Sequence, residues 1–392
     1  MEVSAGRSEL TRWREMAAPP DEAKSIRLDI ALPRVSMLNS RLLPVGLCLL
    51  LVSASALCSR AAGPQNSKRA KTEDLLVREF YTRGAKSAVE QGLEYLAREQ
   101  KPDGSIGSGP YGRNVAVTAL SGMAFLAAGH TPGRGKYGRN VQNAVDFVLS
   151  RCHSNGYITD RQNTSHGPMY GHGFATLFLT QVYGMSTSKE LGAKVRAATK
   201  LIINSQNKDG GWRYEPGSNE ADVSVTVCQI MALRAARNCG IHVPKETIDL
   251  SVKYIKRCQN IDGGFRYRLP FAQSEFPRSA AAVVALYSAG DYDGREATLG
   301  IKYLMRYVPE RNAFRRQKYY FYGHYYAVQA MWQRGGEPWK RWYPAIRDEL
   351  LGPEHRIKSG GWRDASICNE YGTAMACLIL QTPSNYLPIF HR

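Results

Sequence analysis

The chain has 392 residues and a formal net charge of +18, and 43% of its residues are hydrophobic. This length and composition are enough for one large domain with a sizeable core. The basic residues are dispersed, and the sequence contains no dense basic tract, nucleotide-binding loop or catalytic serine elbow. The lack of a dense basic tract argues against nucleic acid as a partner, and the other two absences argue against nucleotide-dependent and serine-hydrolase chemistry.

The N-terminal part is predicted to be an export signal. Residues 1–36 mix charges and prolines without periodicity, so they form an uncertain extension, and we expect translation to begin at Met37. Residues 37–56 combine a basic start, a short apolar stretch and small residues at the end, which is typical of a cleaved signal peptide. Lipoprotein anchoring at Cys58 is the less favoured alternative, because Leu57 replaces the usual small residue before it.

A linker and one large domain are expected to follow. Residues 57–71 are small and basic, and residues 72–392 show no further break in composition. Seven of the 52 Lys and Arg residues and six of the 34 Asp and Glu residues lie in residues 1–56, so the remainder keeps a charge of +17. A strongly basic exported domain is suited to an anionic membrane or envelope surface as one partner.

The domain repeats one pattern, in which a helix-like run is followed by Gln and then by Gly and an aromatic residue. The two clearest copies read Leu201-Ile202-x3-Gln206-x3-Gly210-Gly211-Trp212 and Tyr254-Ile255-x3-Gln259-x3-Gly263-Gly264-Phe265. The corresponding positions in all six copies are Ile106, Tyr157, Trp212, Phe265, Phe314 and Trp362. A period of about 50 residues with two helices per unit requires neighbouring units to stack or close.

The second helix of each unit is rich in small residues, as in residues 116–124 and 279–286. Small residues suit helices that are packed on both sides, so these helices are expected to form an inner ring surrounded by longer, more charged outer helices. The sequence therefore predicts an all-α fold, an α/α toroid or six-hairpin α/α barrel of about six helix pairs. The inner-helix N-termini open at one end, where unpaired N–H groups favour anions.

The Gln-x3-Gly-x-Trp pattern resembles the QW motif of squalene cyclases and the repeats of protein prenyltransferase β-subunits, over nearly all of residues 84–383. The whole chain also resembles exported bacterial proteins with prenyltransferase and squalene-oxidase repeats. This resemblance implies a toroid with an apolar cavity for an isoprenoid or other lipid-like chain. It leaves catalysis open.

Two catalytic features of those families are missing. The cyclases use an Asp-x-Asp-Asp acid, whereas the nearest strings here are Asp291-Tyr292-Asp293 and Glu220-Ala221-Asp222. The prenyltransferases hold zinc with Asp, Cys and His, and the matching positions here are Asp222, Ser224 and Arg278. Serine and arginine replace two of the three ligands, which argues against zinc and leaves the cofactor unknown.

Four ionisable residues near the starts of inner helices form a candidate catalytic set by register alone: His172, Asp222, His324 and Glu370. Residues in units two and five, and in units three and six, face each other across a six-unit ring. Such a set could bind a metal or perform acid–base chemistry, although histidines at helix starts often only cap or hydrogen-bond neighbours.

The densest aromatic and basic stretch, residues 315–326, suits an amphiphile with an anionic head. With one arginine of the preceding inner helix it supplies the candidate ligand-binding residues, which are Arg278, Arg315, Arg316, Tyr319, Tyr320, Tyr322 and Tyr325. The predicted function is an exported terpenoid cyclase/prenyltransferase-like toroid that binds a polyprenyl or other long apolar ligand. The alternatives are a non-catalytic protein-interaction toroid and a six-hairpin glycoside hydrolase with two carboxylates.

Overall fold

The computed structural model describes residues 79–160, 167–186, 188–309, 318–384 and 386–387, all within one compact unit, residues 64–392. These residues contain twelve α-helices and no β-strand. The helices are α1 (Arg83–Glu99), α2 (Val115–Ala127), α3 (Gly138–Ser150), α4 (Pro168–Tyr183), α5 (Lys189–Asn204), α6 (Val223–Asn238), α7 (Lys245–Arg257), α8 (Phe276–Ser288), α9 (Arg295–Leu304), α10 (Tyr320–Arg334), α11 (Gly336–Leu351) and α12 (Asn369–Gln381).

The even-numbered helices are inner helices and the odd-numbered helices are outer ones. Twelve of the 13 residues of α2 are buried, against five of the 13 residues of α7. Small side chains allow the inner helices to approach one another closely. At Gly122 of α2, for example, an added Cβ would lie 2.5 Å from the ring of Phe178 in α4.

The inner helices form a closed ring. Each packs against the next along the chain, and α12 packs back against both α1 and α2. The last Gly-aromatic turn also meets the first outer helix, because a Cβ added at Gly360 would lie 3.2 Å from the Gln91 carbonyl oxygen. The predicted α/α toroid of six helix pairs is confirmed.

The glutamine of the repeat joins neighbouring units. Gln206 Nε2 donates to the carbonyl oxygens of Gly210 in its own turn and of Thr247 in the next outer helix, both at 2.9 Å. Gln100 and Gln259 make the same pair of bonds. Each of these glutamines therefore satisfies two backbone carbonyls at once and fixes the spacing between adjacent units.

The first glycine of the turn is required by its conformation and by its neighbour. Gly263 has φ 85°, and a Cβ added there would lie 2.7 Å from the carbonyl oxygen of Leu299 in α9. Gly104, Gly156 and Gly210 also have positive φ and face the following outer helix in the same way. Positive φ and close backbone contact together explain why the repeat keeps glycine here.

The turn aromatic is held by a hydrogen bond from its backbone N–H to an inner-helix side chain. Trp212 N–H donates to Thr226 Oγ1 at 3.0 Å, and Phe265 N–H donates to Ser279 Oγ at 2.8 Å. Ile106 and Trp362 donate to threonine hydroxyls in the same way. The polar residue in the first turns of an inner helix is therefore part of the framework.

None of the described helices combines the length and the hydrophobicity that a membrane-spanning segment needs. The six cysteines in that part of the chain are free thiols, and four of them are buried. The predicted N-terminal extension, signal peptide and linker, residues 1–71, lie outside the described residues.

Candidate functional site

A cavity of about 550 Å³ lies at the end of the ring where the inner helices begin. Its walls include residues from the first turn of α2, α4, α6, α8, α10 and α12, and from the loops that lead into them. Deeper in the ring, Phe174 of the cavity wall lies against Tyr325, with ring centroids 6.4 Å apart. The site is therefore at the mouth that the sequence predicted.

Every repeat contributes at least one tyrosine to the cavity. These tyrosines are Tyr111, Tyr170, Tyr214, Tyr267, Tyr319, Tyr322 and Tyr371. Burial raises the pKa of Tyr170, Tyr322 and Tyr371 well above that of a free phenol, so these side chains are neutral. Their rings offer apolar faces and their hydroxyls offer hydrogen bonds, a combination suited to ligands that are partly apolar.

The basic side of the cavity lies in the fourth and fifth repeats. Arg278 and Lys318 line it, together with Glu275. The Arg278 guanidinium pairs with Glu275 and lies 5.5 Å from the ring centroid of Tyr267. Lys318 is exposed, and together with Arg278 it leaves this rim with a net positive charge.

The facing side, in the first and second repeats, carries hydrogen-bonding groups. Asn114, Thr159 and Asp160 line the cavity there, and each is at most 9% exposed. The Asp160 carboxylate lies 3.7 Å from Arg113 Nε and 3.6 Å from Arg151 Nε. The mouth is thus divided between a cationic rim and a wall of polar acceptors.

A third group of side chains connects the cavity wall to the framework. The hydroxyls of Tyr214 and Tyr267 are 2.5 Å apart, and the Arg213 guanidinium lies over both rings, at 4.4 Å and 5.5 Å. Arg213 Nη1 is 3.1 Å from Asp222 Oδ2. The arginine therefore couples two cavity tyrosines to a fully buried carboxylate.

Asp222 itself is the N-cap of α6. Its Oδ1 accepts the N–H of Val225 at 2.8 Å, which satisfies one of the unpaired donors of the helix. Burial raises the pKa of the Asp222 carboxyl to about 6, while this N–H and Arg213 act in the opposite direction. Asp222 lies behind the cavity wall, since its neighbour Ser224 lines the cavity and Asp222 does not.

His172 occupies the framework position that threonine or serine holds in other repeats. Its Nδ1 accepts the N–H of Ile158 at 3.1 Å, and its Nε2 lies 3.3 Å from the carbonyl oxygen of Ala198. The side chain is fully buried, and burial lowers its pKa to about 4. Both ring nitrogens are therefore used within the framework.

His324 and Glu370 also lie away from the cavity. The His324 ring is fully buried among Phe276, Tyr320 and Trp342, at centroid distances of 4.9, 4.5 and 5.7 Å. Burial lowers the pKa of His324 to about 3, and the charge of a neighbouring histidine acts in the same direction. Glu370 accepts hydrogen bonds from the hydroxyls of Tyr95 and Ser108 at 3.3 and 2.9 Å.

The four candidate catalytic residues are therefore not brought together. Their helices have the predicted register, but none of the four side chains lines the cavity. In the described part of the chain no three His, Cys, Asp or Glu side chains are grouped as metal ligands. A catalytic role for this set stays a prediction without geometric support.

Some of the ligand-binding candidates, unlike the catalytic ones, line the cavity. Arg278, Tyr319 and Tyr322 line the cavity, whereas Tyr320 and Tyr325 are buried between helices and do not. The remaining two candidates, Arg315 and Arg316, lie outside the described residues.

Sequence reasoning missed five of the seven cavity tyrosines, although two offsets could have found most of them. Tyr214 and Tyr267 each stand two residues after the turn aromatic. Three others are the third residue of an inner helix, as at Tyr170, Tyr322 and Tyr371. A search for tyrosine at these fixed offsets would have defined the ring, with Tyr111 and Tyr319 as exceptions.

Comparison with protein families and curated proteins agrees with this architecture. Residues 139–318 match the model of the prenyltransferase alpha-alpha toroid domain. Drimenyl diphosphate synthase of Streptantibioticus cattleyicolor is 25% identical over 204 residues, which is 47% of this chain. The match spans a third of the length of that relative, 33%.

Solved structures with the same architecture come from several kinds of enzyme. A variant of type II terpene cyclase MstE of Scytonema, bound to its substrate geranylgeranyl dihydroxybenzoate, has a TM-score of 0.55 at 15% identity over 78% of this chain and 98% of that one. An inactive α-1,6-mannanase variant of Salegentibacter sp., bound to α-1,6-mannotriose, has a TM-score of 0.57 at 8% identity over 78% and 99% of the two chains. Cellobiose 2-epimerase of Bacillus thermoamylovorans has a TM-score of 0.57 at 14% identity over 75% and 97%. At these identities the likeness concerns the fold, so the chain is an α/α toroid of the kind that terpene cyclases and carbohydrate-active enzymes share.

Proposed function

We propose that this protein binds an amphiphile with an isoprenoid or similarly long apolar chain and an anionic head. The observation that carries the proposal is the tyrosine-lined cavity, to which all six repeats contribute. Its volume of about 550 Å³ lies within the usual range for small-molecule sites. A purely structural toroid with its mouth closed by side chains would have no such space.

The anionic head is inferred from the charges at the rim. Arg278 and Lys318 face the cavity beside the N-termini of α8 and α10, where helix dipoles add to the positive potential. Arg278 is 14% exposed, so its attraction for an anion is less screened than that of a surface arginine. Glu275 pairs with Arg278 and offsets part of its positive charge. Lys318 supplies the second positive charge at the rim.

The comparisons support an isoprenoid as the apolar part. The matched domain model is named for prenyltransferases, the partial relative is named for drimenyl diphosphate, and one structural neighbour holds a geranylgeranyl substrate. All three names refer to isoprenoid compounds or to their transfer, and this common element supports an isoprenoid chain in the ligand.

Binding is better supported than catalysis. The carboxylates that line the cavity in the described residues are Asp160 and Glu275, and each lies next to arginine. These ion pairs already engage both carboxylates, and no other carboxyl group of the described residues lines the cavity to act as a general acid or base. The same shortage weighs against the glycoside hydrolase alternative, which needs two available carboxyl groups.

The test is to fill the cavity. Ala116 lines it, so Ala116→Phe in the purified full chain should weaken binding of dodecyl phosphate at least tenfold in calorimetric titration. Ala128→Phe places the same side chain next to the opposite end of α2 and serves as the control. Equal affinities in the wild type and both variants, or no binding by the wild type, would refute the proposal.

We also propose that the protein acts after export, at an anionic membrane or envelope surface. The signal-like residues 37–56 and the charge of +17 that remains beyond residue 56 support this. N-terminal sequencing of the protein from its native source should find the chain beginning between residues 57 and 71. An intact residue 1 or 37 would refute cleavage.

A further inference from the structure

The polar wall opposite the cationic rim contains a buried hydroxyl without a partner. Thr159 is 5% exposed and lines the cavity, and its Oγ1 makes no hydrogen bond within the described residues. Its backbone is fixed on both sides, since Thr159 N–H donates to the Arg151 carbonyl and its own carbonyl lies 3.3 Å from His153 Nε2. A buried hydroxyl with no bond is costly unless a ligand or water completes it.

Asp160 and Asn114 stand beside this hydroxyl on the same wall. Asp160 Oδ2 lies 3.7 Å from Arg113 Nε and 3.6 Å from Arg151 Nε, so the carboxylate lies in a cationic setting at the cavity wall. A carboxylate oxygen accepts more than one hydrogen bond, which suits this group to a ligand hydroxyl.

The two polar sides face each other across the mouth. Asn114 precedes α2 and Thr159 and Asp160 precede α4, in the first and second repeats, whereas Arg278 and Lys318 belong to the fourth and fifth. In a closed ring of six units these pairs of repeats are opposite. Tyrosines lie between them on both sides and offer flat faces on which a hydroxylated ring or chain can pack.

We propose that the ligand head is a phosphodiester that also bears hydroxyl groups, such as a lipid-linked sugar phosphate or a phosphoglycerol. This inference rests on the proposed function. The phosphate binds Arg278 and Lys318, the hydroxylated part of the head spans the mouth to Thr159 and Asp160, and the apolar chain extends past the tyrosines into the cavity.

The experiment compares three probes that share one apolar chain. These are dodecyl methyl phosphate, dodecyl mannosyl phosphate and dodecyl phosphoglycerol, all phosphodiesters of the same charge, titrated calorimetrically into the full chain. We expect at least one hydroxylated probe to bind about tenfold more tightly than dodecyl methyl phosphate, and the preferred one identifies the source of the hydroxyls.

Substitutions in the polar wall then show which residues cause the preference for hydroxylated probes. Thr159→Val should reduce the ratio of hydroxylated to plain probe to about one, and Thr159→Ser should restore it. Thr131→Val makes the same chemical change in the loop that follows α2 at the other end of the ring and should leave the ratio unchanged. Asp160→Asn, tested separately, should lower the ratio without removing it, since an amide oxygen still accepts.

The outcomes separate the two proposals. Equal affinity of wild-type protein for all three probes overturns the hydroxylated head while leaving the proposed function intact. A hydroxyl preference that survives Thr159→Val overturns the assignment to this wall. Failure of every probe to bind refutes the proposed function itself.

Discussion

Each turn of the ring has two sides, one facing the framework and one facing the cavity, and they differ in how strictly the repeats agree. On the framework side the same atoms recur: a glycine against the next outer helix, a glutamine between two carbonyls, and a side-chain acceptor for the turn N–H. On the cavity side the repeats diverge into tyrosines, an arginine, a lysine and a threonine–aspartate pair. The repeated pattern thus describes how the ring is assembled, and the residues through which we propose that a ligand binds are at positions that break it.

The largest effect should come from a framework glycine. We expect Gly263→Ala to cost about 3 kcal/mol or more in the free energy of unfolding, because it combines a positive φ with a Cβ 2.7 Å from the Leu299 carbonyl oxygen. Gly290, in the same repeat, also has positive φ but would place its Cβ within 4 Å of no other atom. Gly290→Ala should therefore cost only about 1 kcal/mol.

Urea denaturation of the two variants measures this difference. Similar losses at both positions would mean that φ alone matters, and the close contact between the turn and the next outer helix would then be unimportant.

The second effect concerns His172 and depends on pH. Its folded-state pKa of about 4 lies below the usual value for histidine, so the unfolded chain binds this proton more readily. The contribution of His172 to stability is complete above about pH 6.5 and falls as the pH drops to 4, by up to about 3 kcal/mol. His172→Thr should abolish this part of the pH dependence, because threonine does not titrate.

The same variant tests the framework role. Thr226 accepts the equivalent N–H over the same separation of 14 residues, so His172→Thr should be more stable at pH 7 than His172→Ala by about 1 kcal/mol. Denaturation curves of the three proteins between pH 4 and 7 decide this. If threonine and alanine behave alike, the Ile158 N–H does not need this acceptor.

The third prediction concerns a residue on the cavity side of the turn. Arg278→Gln should weaken binding of dodecyl phosphate about tenfold, because the guanidinium at the rim contributes a charge-assisted hydrogen bond. Arg268→Gln is a matched control: Arg268 is on the preceding loop, pairs with Glu220 and does not line the cavity. Titrations at low and high salt should show that the wild type loses affinity with salt and that Arg278→Gln loses less. An equal response of both variants would remove Arg278 from the site.

The division between framework residues and cavity residues also explains which features could be predicted from the sequence. The fold follows from the repeat, because a glycine, a glutamine and an aromatic at fixed spacing are needed by every unit. The end of the ring at which the cavity opens, and the positions of Arg278 and Tyr322 in its wall, also followed from register and charge. The catalytic set did not, since register places His172 and Asp222 at helix starts but cannot show whether a side chain is used by a neighbouring turn or by a cap.

The smallest effect is predicted for Asp222→Asn. Asparagine caps a helix as well as aspartate does, Arg213 keeps its ion pair with Glu220, and burial already disfavours the ionised form of Asp222. The loss in unfolding free energy should therefore stay below about 1 kcal/mol despite the broken pair with Arg213. Because Asp222 lies behind Tyr267 and not in the cavity wall, the affinity for dodecyl phosphate should change less than about twofold. Calorimetric titration of this variant beside Arg278→Gln compares the two sides of the turn directly. A larger loss of affinity for Asp222→Asn than for Arg278→Gln would show that the buried carboxylate acts on the ligand through Arg213 and the tyrosine pair. The residues that determine binding would then include a layer behind the cavity wall.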